Sequence, residues 1–132
     1  KSVHRHTEKL LALLRALSAD GKTDVIIAGA GKAAHLPGCV DAYLRNELKN
    51  NKITVLGVAF RSKDSEDNQA AVLSITQVPG TQVIFAGLGS EAFQHACKMA
   101  CEQENFPAIT LKEPPPDMEL TLDEAIKLAE PD

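Results

Sequence analysis

Val25-Ile26-Ile27-Ala28-Gly29-Ala30-Gly31-Lys32-Ala33-Ala34-His35-Leu36-Pro37-Gly38 is the stretch whose reading decides the fold. Its first four residues are apolar on both faces, which is the pattern of a buried strand in a parallel sheet. Gly29-Ala30-Gly31 closes that strand. Pro37 then stands where the first turn of a helix tolerates it, so the stretch reads as one β-α unit. Outward from it the pattern repeats. Ile53-Thr54-Val55-Leu56-Gly57-Val58 is predicted as a second buried strand and Val83-Ile84-Phe85-Ala86 as a third.

The connections carry helical spacing. Leu10, Leu11, Leu14 and Leu17 define a first helix, with Thr7 as its expected cap and Asp20-Gly21 as its stop. Val40, Tyr43, Leu44 and Leu48 continue the helix that Pro37 opens. Arg61 to Asn68 reads as a polar loop, Ala70 to Gln77 as a short helix, and Val78-Pro79-Gly80 as its breaker. Ser90 is expected to cap a helix running to about Glu104, and Ala108 to Leu111 to form a weaker fourth strand. Pro114-Pro115-Pro116 reads as a stiff spacer, and Thr121-Leu122-Asp123-Glu124 as a capping box opening a last helix. Strands alternating with helices imply an α/β fold, an open parallel sheet with helices on both faces. The domain is assigned to residues 1–112, and 113–132 to the spacer and short helix.

A chain of 132 residues, 44% hydrophobic, can bury roughly two-thirds of its unfolded surface and needs no disulfide or metal staple. Its formal charge of −4 argues against a dedicated partner in nucleic acid or an anionic membrane. Apolar runs fall far short of the ~20 residues that span a bilayer. Cys39, Cys97 and Cys101 are an odd set without C-x-x-C, expected as buried free thiols, which points to the cytoplasm. Lys1-Ser2-Val3-His4-Arg5 has neither an initiator methionine nor a signal-peptide core, so the chain is expected to begin inside a longer sequence.

In a parallel sheet the ligand crevice lies beyond the carboxyl ends of the strands. Here that means Ala28 to His35, Val58 to Ser62 and Ala86 to Ser90. The first set is the richest, because small residues, Lys32 and His35 precede a helix whose free backbone N–H groups suit an anion. Spacing leaves two readings open, an anion cradle or a plain β-α turn with a solvated lysine. His95 lies mid-helix among Ala and Cys and reads as structural, while His4 and His6 alternate with Arg5. No metal-ligand spacing and no G-x-S-x-G elbow occurs, so neither metal nor serine hydrolase chemistry is expected.

Two segments go further. Ser2-Val3-His4-Arg5 ahead of a helix resembles the S-A-H-R segment of the PurE family, the carboxyaminoimidazole ribonucleotide mutases of purine biosynthesis. Val25 to Gly38 is similar to that family's V-I-I-A-G-A-G-G-A-A-H-L-P-G, Val55 to Val58 to its V-I-G-V, and Leu73 to Gly80 to its L-S-I-V-Q-M-P-G. The resemblance covers residues 2–104. It implies a three-layer α/β/α sandwich with a flavodoxin-like parallel sheet, assembled as a homo-octamer with active sites between subunits. The implied reaction moves a carboxyl group of a small ribonucleotide from an exocyclic nitrogen to the neighbouring ring carbon, by release and recapture of carbon dioxide, without any cofactor. His4 would then be the acid–base group. Ser2 and Arg5 would hold the ribose-phosphate, and Gly29, Ala30, Gly31 and Lys32 would border the ligand. His35 and Leu36 would shape the carboxyl pocket, with His35 a second catalytic candidate. Arg5 favours the class I mutases over the class that uses carbon dioxide directly, which carries S-A-H-K.

Departures from the pattern matter as much. Lys32 stands at a glycine of the motif, Ala59 at the proline of G-V-P, and His6-Thr7 at Thr-Pro. The family's opening strand and G-S-x-S-D turn have no counterpart here. The expectation is therefore a complementing N-terminal segment, covalent or separate, without which Val25 to Ala28 offers an unpaired apolar edge and the free chain is not a stable monomer. A catalytically silent sugar-phosphate-binding or assembly subunit is the other reading.

Overall fold

The computed structural model describes residues 2–102, 105–113 and 116–130. Three parallel strands, β1 (Val25–Ala30), β2 (Thr54–Ala59) and β3 (Ile84–Leu88), form a sheet in the order β1-β2-β3. The helices are α1 (Thr7–Asp20), α2 (Leu36–Ala42), α3 (Ser65–Thr76), α4 (Ser90–Glu102) and α5 (Leu122–Ala129). This is an α/β fold of the flavodoxin-like kind, with helices on both sides of a parallel sheet.

The two-residue period of the strands divides the core. Ile26, Ala28 and Val55 face Leu10 and Leu14 of α1 and Val40 of α2, while Ala30, Ala59 and Phe85 share a cluster with Ala71 and Ile75 of α3. Val25, Ile27, Leu56, Val58 and Ile84 point the other way, onto Ala92 and Ala96 of α4. All six residues of β2 are buried, as a central strand requires. Only Ala28 of β1 is, because β1 is an edge of this sheet, so the expectation of burial on both of its faces holds for β2 alone.

Several boundaries differ from expectation for identifiable reasons. Thr7 is the first residue of α1 rather than its cap: the cap position is His6, and the Thr7 hydroxyl donates instead to the Val3 carbonyl. Gly21 ends the helix in the left-handed conformation, φ 66°. The helix opened by Pro37 changes to a π-turn over Tyr43–Glu47, and Arg45 is turned inward there. Its guanidinium donates to the carbonyls of Asn50 at 2.8 Å and Ile53 at 2.6 Å. Its Nε lies 3.1 Å from Asp41 Oδ1, too poorly aligned for a hydrogen bond, so that contact is electrostatic. Burial holds the Arg45 guanidinium below its ordinary value, against the opposing pull of Asp41.

Helix α3 begins within the stretch expected to be a loop, since Asp64 accepts from the N–H groups of Glu66 and Asp67 and caps it. Residues 108–111 are not a strand. Gln82 occupies the Thr110 main chain on both sides, donating to its carbonyl and accepting from its N–H at 2.8 Å each. The three cysteines are exposed, and so is His95. The inward stripe of α4 is Ala92, Ala96, Met99 and Ala100, and Cys97 and Cys101 fall one position round from it. The Thr121–Glu124 capping box is present, and α5 buries nothing. Lys1, Gln103 and Glu104, and Pro114 and Pro115 of the spacer, lie outside the described residues. No described helix is long and apolar enough to cross a membrane.

Candidate active site

Three turns meet at the carboxyl end of the sheet. The Phe60 N–H donates to the Ala30 carbonyl and the Gly89 N–H to the Ala59 carbonyl, each at 2.8 Å, so the turns leaving β1, β2 and β3 are locked side by side. Gly87 (φ 125°) lies within 3.0 Å of the Ala92 methyl at its would-be Cβ, and only glycine allows both that angle and that approach. Phe60 lies across Gly29, with ring atoms 2.4 and 2.6 Å from where a Cβ would stand. Gly29 is therefore required by packing, whereas Gly31 is nearly open.

The N-terminal segment comes to the same place. Residues 3–5 form a turn closed by the His6 N–H donating to the Ser2 carbonyl at 2.9 Å. Val3 packs against the α1–α2 core. That anchorage sets His4 against His35: His4 Nε2 and His35 Nδ1 are 3.3 Å apart, the rings edge-to-face with centroids 5.1 Å apart. The contact needs a hydrogen on one of the two facing nitrogens and a lone pair on the other. Two imidazoles from opposite ends of the motif thus share one hydrogen position, an arrangement suited to passing a proton.

Arg5, beside His4, is exposed and has its charge free for a ligand among the described residues. Ser2 is half-buried, and Leu36, also half-buried, packs on the core behind His35. Lys32 behaves otherwise than a free cation. Its Nζ donates to Asp67 Oδ1 at 2.7 Å, and the hydrogen bond and charge of Asp67 hold the ammonium above its ordinary range. Asp67 had no signal in the sequence beyond its place in a polar run. The nearest hint is its position three residues after the α3 cap.

Grooves of about 510 Å³, bordered by Asp41, Val78 and Thr110, and about 220 Å³, bordered by Leu17 and Asn50, include neither histidine. The histidine crevice is an open surface of this chain. Among the described residues no three His, Cys, Asp or Glu side chains converge as a metal site.

Residues 1–111 match the family model described as AIR carboxylase. The chain belongs to the AIR carboxylase family. Its relatives include proteins named N5-carboxyaminoimidazole ribonucleotide mutase. That of Brucella melitensis is 41% identical over 100 residues, 75% of this chain and 56% of the relative. That of Pyrococcus abyssi is 37% identical over 101 residues, 76% and 52% respectively. That of Aliivibrio fischeri is 41% identical over 102 residues, 76% and 58%. The chain thus spans little more than half the length of these relatives. No solved structure gives a significant match.

Proposed function

We propose that this chain serves purine biosynthesis as a carboxyaminoimidazole ribonucleotide mutase, moving a carboxyl group from the exocyclic amine to the ring carbon. The observation that carries the reading is the 3.3 Å His4–His35 contact beside the open Gly31 turn. The relatives' name supplies the substrate class. His4 is the group that gives and takes the proton, and His35 is its partner at the carboxyl pocket with Leu36. Ser2 and Arg5 hold the ribose-phosphate, Gly29, Ala30 and Gly31 border the ligand, and Lys32 shapes the turn around it. Carbon dioxide released from the amine is recaptured at the ring carbon, whose proton is then removed. Confinement keeps the two reactants together at high effective concentration.

The outer edge of β1, unpaired among the described residues, and its half-buried side chains support a complementing N-terminal strand segment. The exposed crevice supports closure by neighbouring subunits in a homo-octamer. Residues 1–112 are the catalytic domain and 113–132 an appended spacer and helix, acting in the cytoplasm. The test is to complete the chain with an N-terminal segment carrying G-S-x-S-D and follow ring-carboxylated product from the carboxyamino ribonucleotide. Product is expected. His4→Asn should keep the fold and nucleotide affinity and lower turnover by about 10²–10⁴. Nucleotide binding without turnover in the completed chain would refute the enzyme and favour a silent subunit. Near-normal turnover in His4→Asn would move the proton to His35.

A further inference from the structure

The turn between β1 and α2 carries a histidine that must meet its partner within 3.3 Å, yet within itself it has little to hold it. Between Gly31 and His35 its one internal main-chain hydrogen bond runs from the His35 N–H to the Ala33 carbonyl at 2.9 Å. Besides the sheet residue Ala59, α3 holds it from outside. Ala34 is fully buried in a cluster with Ala71 and Ile75, and Lys32 is bonded to Asp67. Asp67 and Ala71 are four residues apart and so share one face of α3. That face therefore grips the turn twice, once by packing and once by charge, at two positions just before His35.

Asp67 is itself well seated. Its N–H donates to Asp64 Oδ1 at 3.3 Å, and the Ser62 hydroxyl reaches its second carboxylate oxygen at 3.5 Å. Its side chain is 29% exposed, against 60% for that of Lys32, so the carboxylate is the fixed end and the lysine the part being held. We propose that Asp67 is a positioning residue: through Lys32 it straps the β1–α2 turn to α3 and sets His35 opposite His4. The proposal rests on the reading of the two histidines as the proton-handling pair. It gives a role to the one cation in the glycine-bearing turn, whose charge is taken up by Asp67.

Hydrogen bonding falls off within a few tenths of an ångström beyond such a separation, so small displacements of the turn are enough to open the pair. The experiment uses the completed protein with isotope-labelled histidine and reads the His4–His35 ring-to-ring cross-peak by NMR, beside the melt and the turnover. The variants are Asp67→Asn, Lys32→Met, the two combined, Asp67→Glu, and the exchanged pair Lys32→Asp with Asp67→Lys. Each neutralising change should weaken the cross-peak by about 1.4- to fivefold, the range an exposed ion pair commands. The combination should do no more than either alone, while Asp67→Glu and the exchanged pair recover it. The cooperative melt should persist throughout, and KM should move less than kcat.

An unchanged cross-peak in both single variants overturns the proposal. So does an opposite response to inorganic phosphate, tighter in Asp67→Asn and weaker in Lys32→Met, which would make Lys32 a ligand group that Asp67 restrains. Absence of turnover in the unaltered protein, with the cross-peak responding as described, refutes the proposed function and leaves the strap standing.

Discussion

Replacing Gly57 by alanine tests how the core sets the site. Gly57 lies in the middle of the fully buried β2, paired with Ala28 on one side and Phe85 on the other. A Cβ there would stand 2.8 Å from Val83 Cγ1, 2.9 Å from Ile75 Cγ2 and 3.5 Å from Pro37 Cβ. The two short contacts are to methyls on β-branched side chains, which have few alternative rotamers and cannot swing clear. Overpacking of this sort costs about 1–3 kcal/mol. Removing the conformational freedom of a strand glycine returns about 0.5–1 kcal/mol. With two stiff neighbours the balance should be a loss of about 1–2 kcal/mol, or roughly 4–8 °C in Tm for a chain of this size. Val83→Ala removes the shorter contact, so Gly57→Ala should cost about 1 kcal/mol less in that background, a coupling that a double-mutant cycle from urea melts resolves. Because Ile75, one of the two crowded groups, belongs to α3, which carries Asp67, the same variant should also weaken the His4–His35 contact. A Gly57→Ala protein as stable as its parent, with an unchanged denaturant slope, would refute the reasoning.

Other expectations follow from single features. Arg45→Met leaves Asp41, 3% exposed, as an uncompensated buried charge, and should cost about 3–5 kcal/mol by chemical denaturation; adding Asp41→Leu should recover part of it. Although Cys39 is exposed, partial desolvation by its surroundings holds its thiol above the ordinary value, so at neutral pH its alkylation by iodoacetamide, followed by mass spectrometry, should be slower than that of a fully solvated model thiol. In α5 the Thr121 hydroxyl and N–H hold the Glu124 carboxyl below its ordinary value. A depressed carboxylate stabilises above its unfolded pKa, and the effect is lost as pH falls through the folded one. The amide protection of Ala125 should therefore fall on acidification below the usual glutamate range and be flat near neutrality.

The fold was legible where burial leaves one solution. Val25 to Ala28 and Ile53 to Val58 are too apolar and too short to be anything but strands, and Gly29 and Gly31 mark where the first must turn. Misread elements are those decided by a single polar side chain. Asp64 moves the start of α3 into a run that composition assigns to a loop. The Gln82 carboxamide occupies the main chain of a would-be fourth strand. Arg45, reaching inward for two carbonyls, accompanies the switch of an α-helix to a π-turn. Each is a long-range or end effect of about a kilocalorie or two, enough to shift a boundary and too specific for periodicity to show.

The site divides along the same line. The candidates His4, Arg5 and His35 come from the resemblance of their motifs, and the structure adds what motifs cannot, that two rings 31 positions apart meet edge-to-face. Val3 makes that possible, since an apolar residue one place before His4 seats the N-terminal turn on the α1–α2 core. The sequence leaves Lys32 ambiguous between an anion ligand and a solvated side chain, and the partner that decides lies 35 positions away on a helix the polar run conceals. The lysine that stands at a glycine of the resembled motif thus has its charge met from another element. A relative that keeps glycine at this position has no lysine for an acid on α3 to hold, so the need for a residue such as Asp67 should appear and disappear together with the cation at position 32.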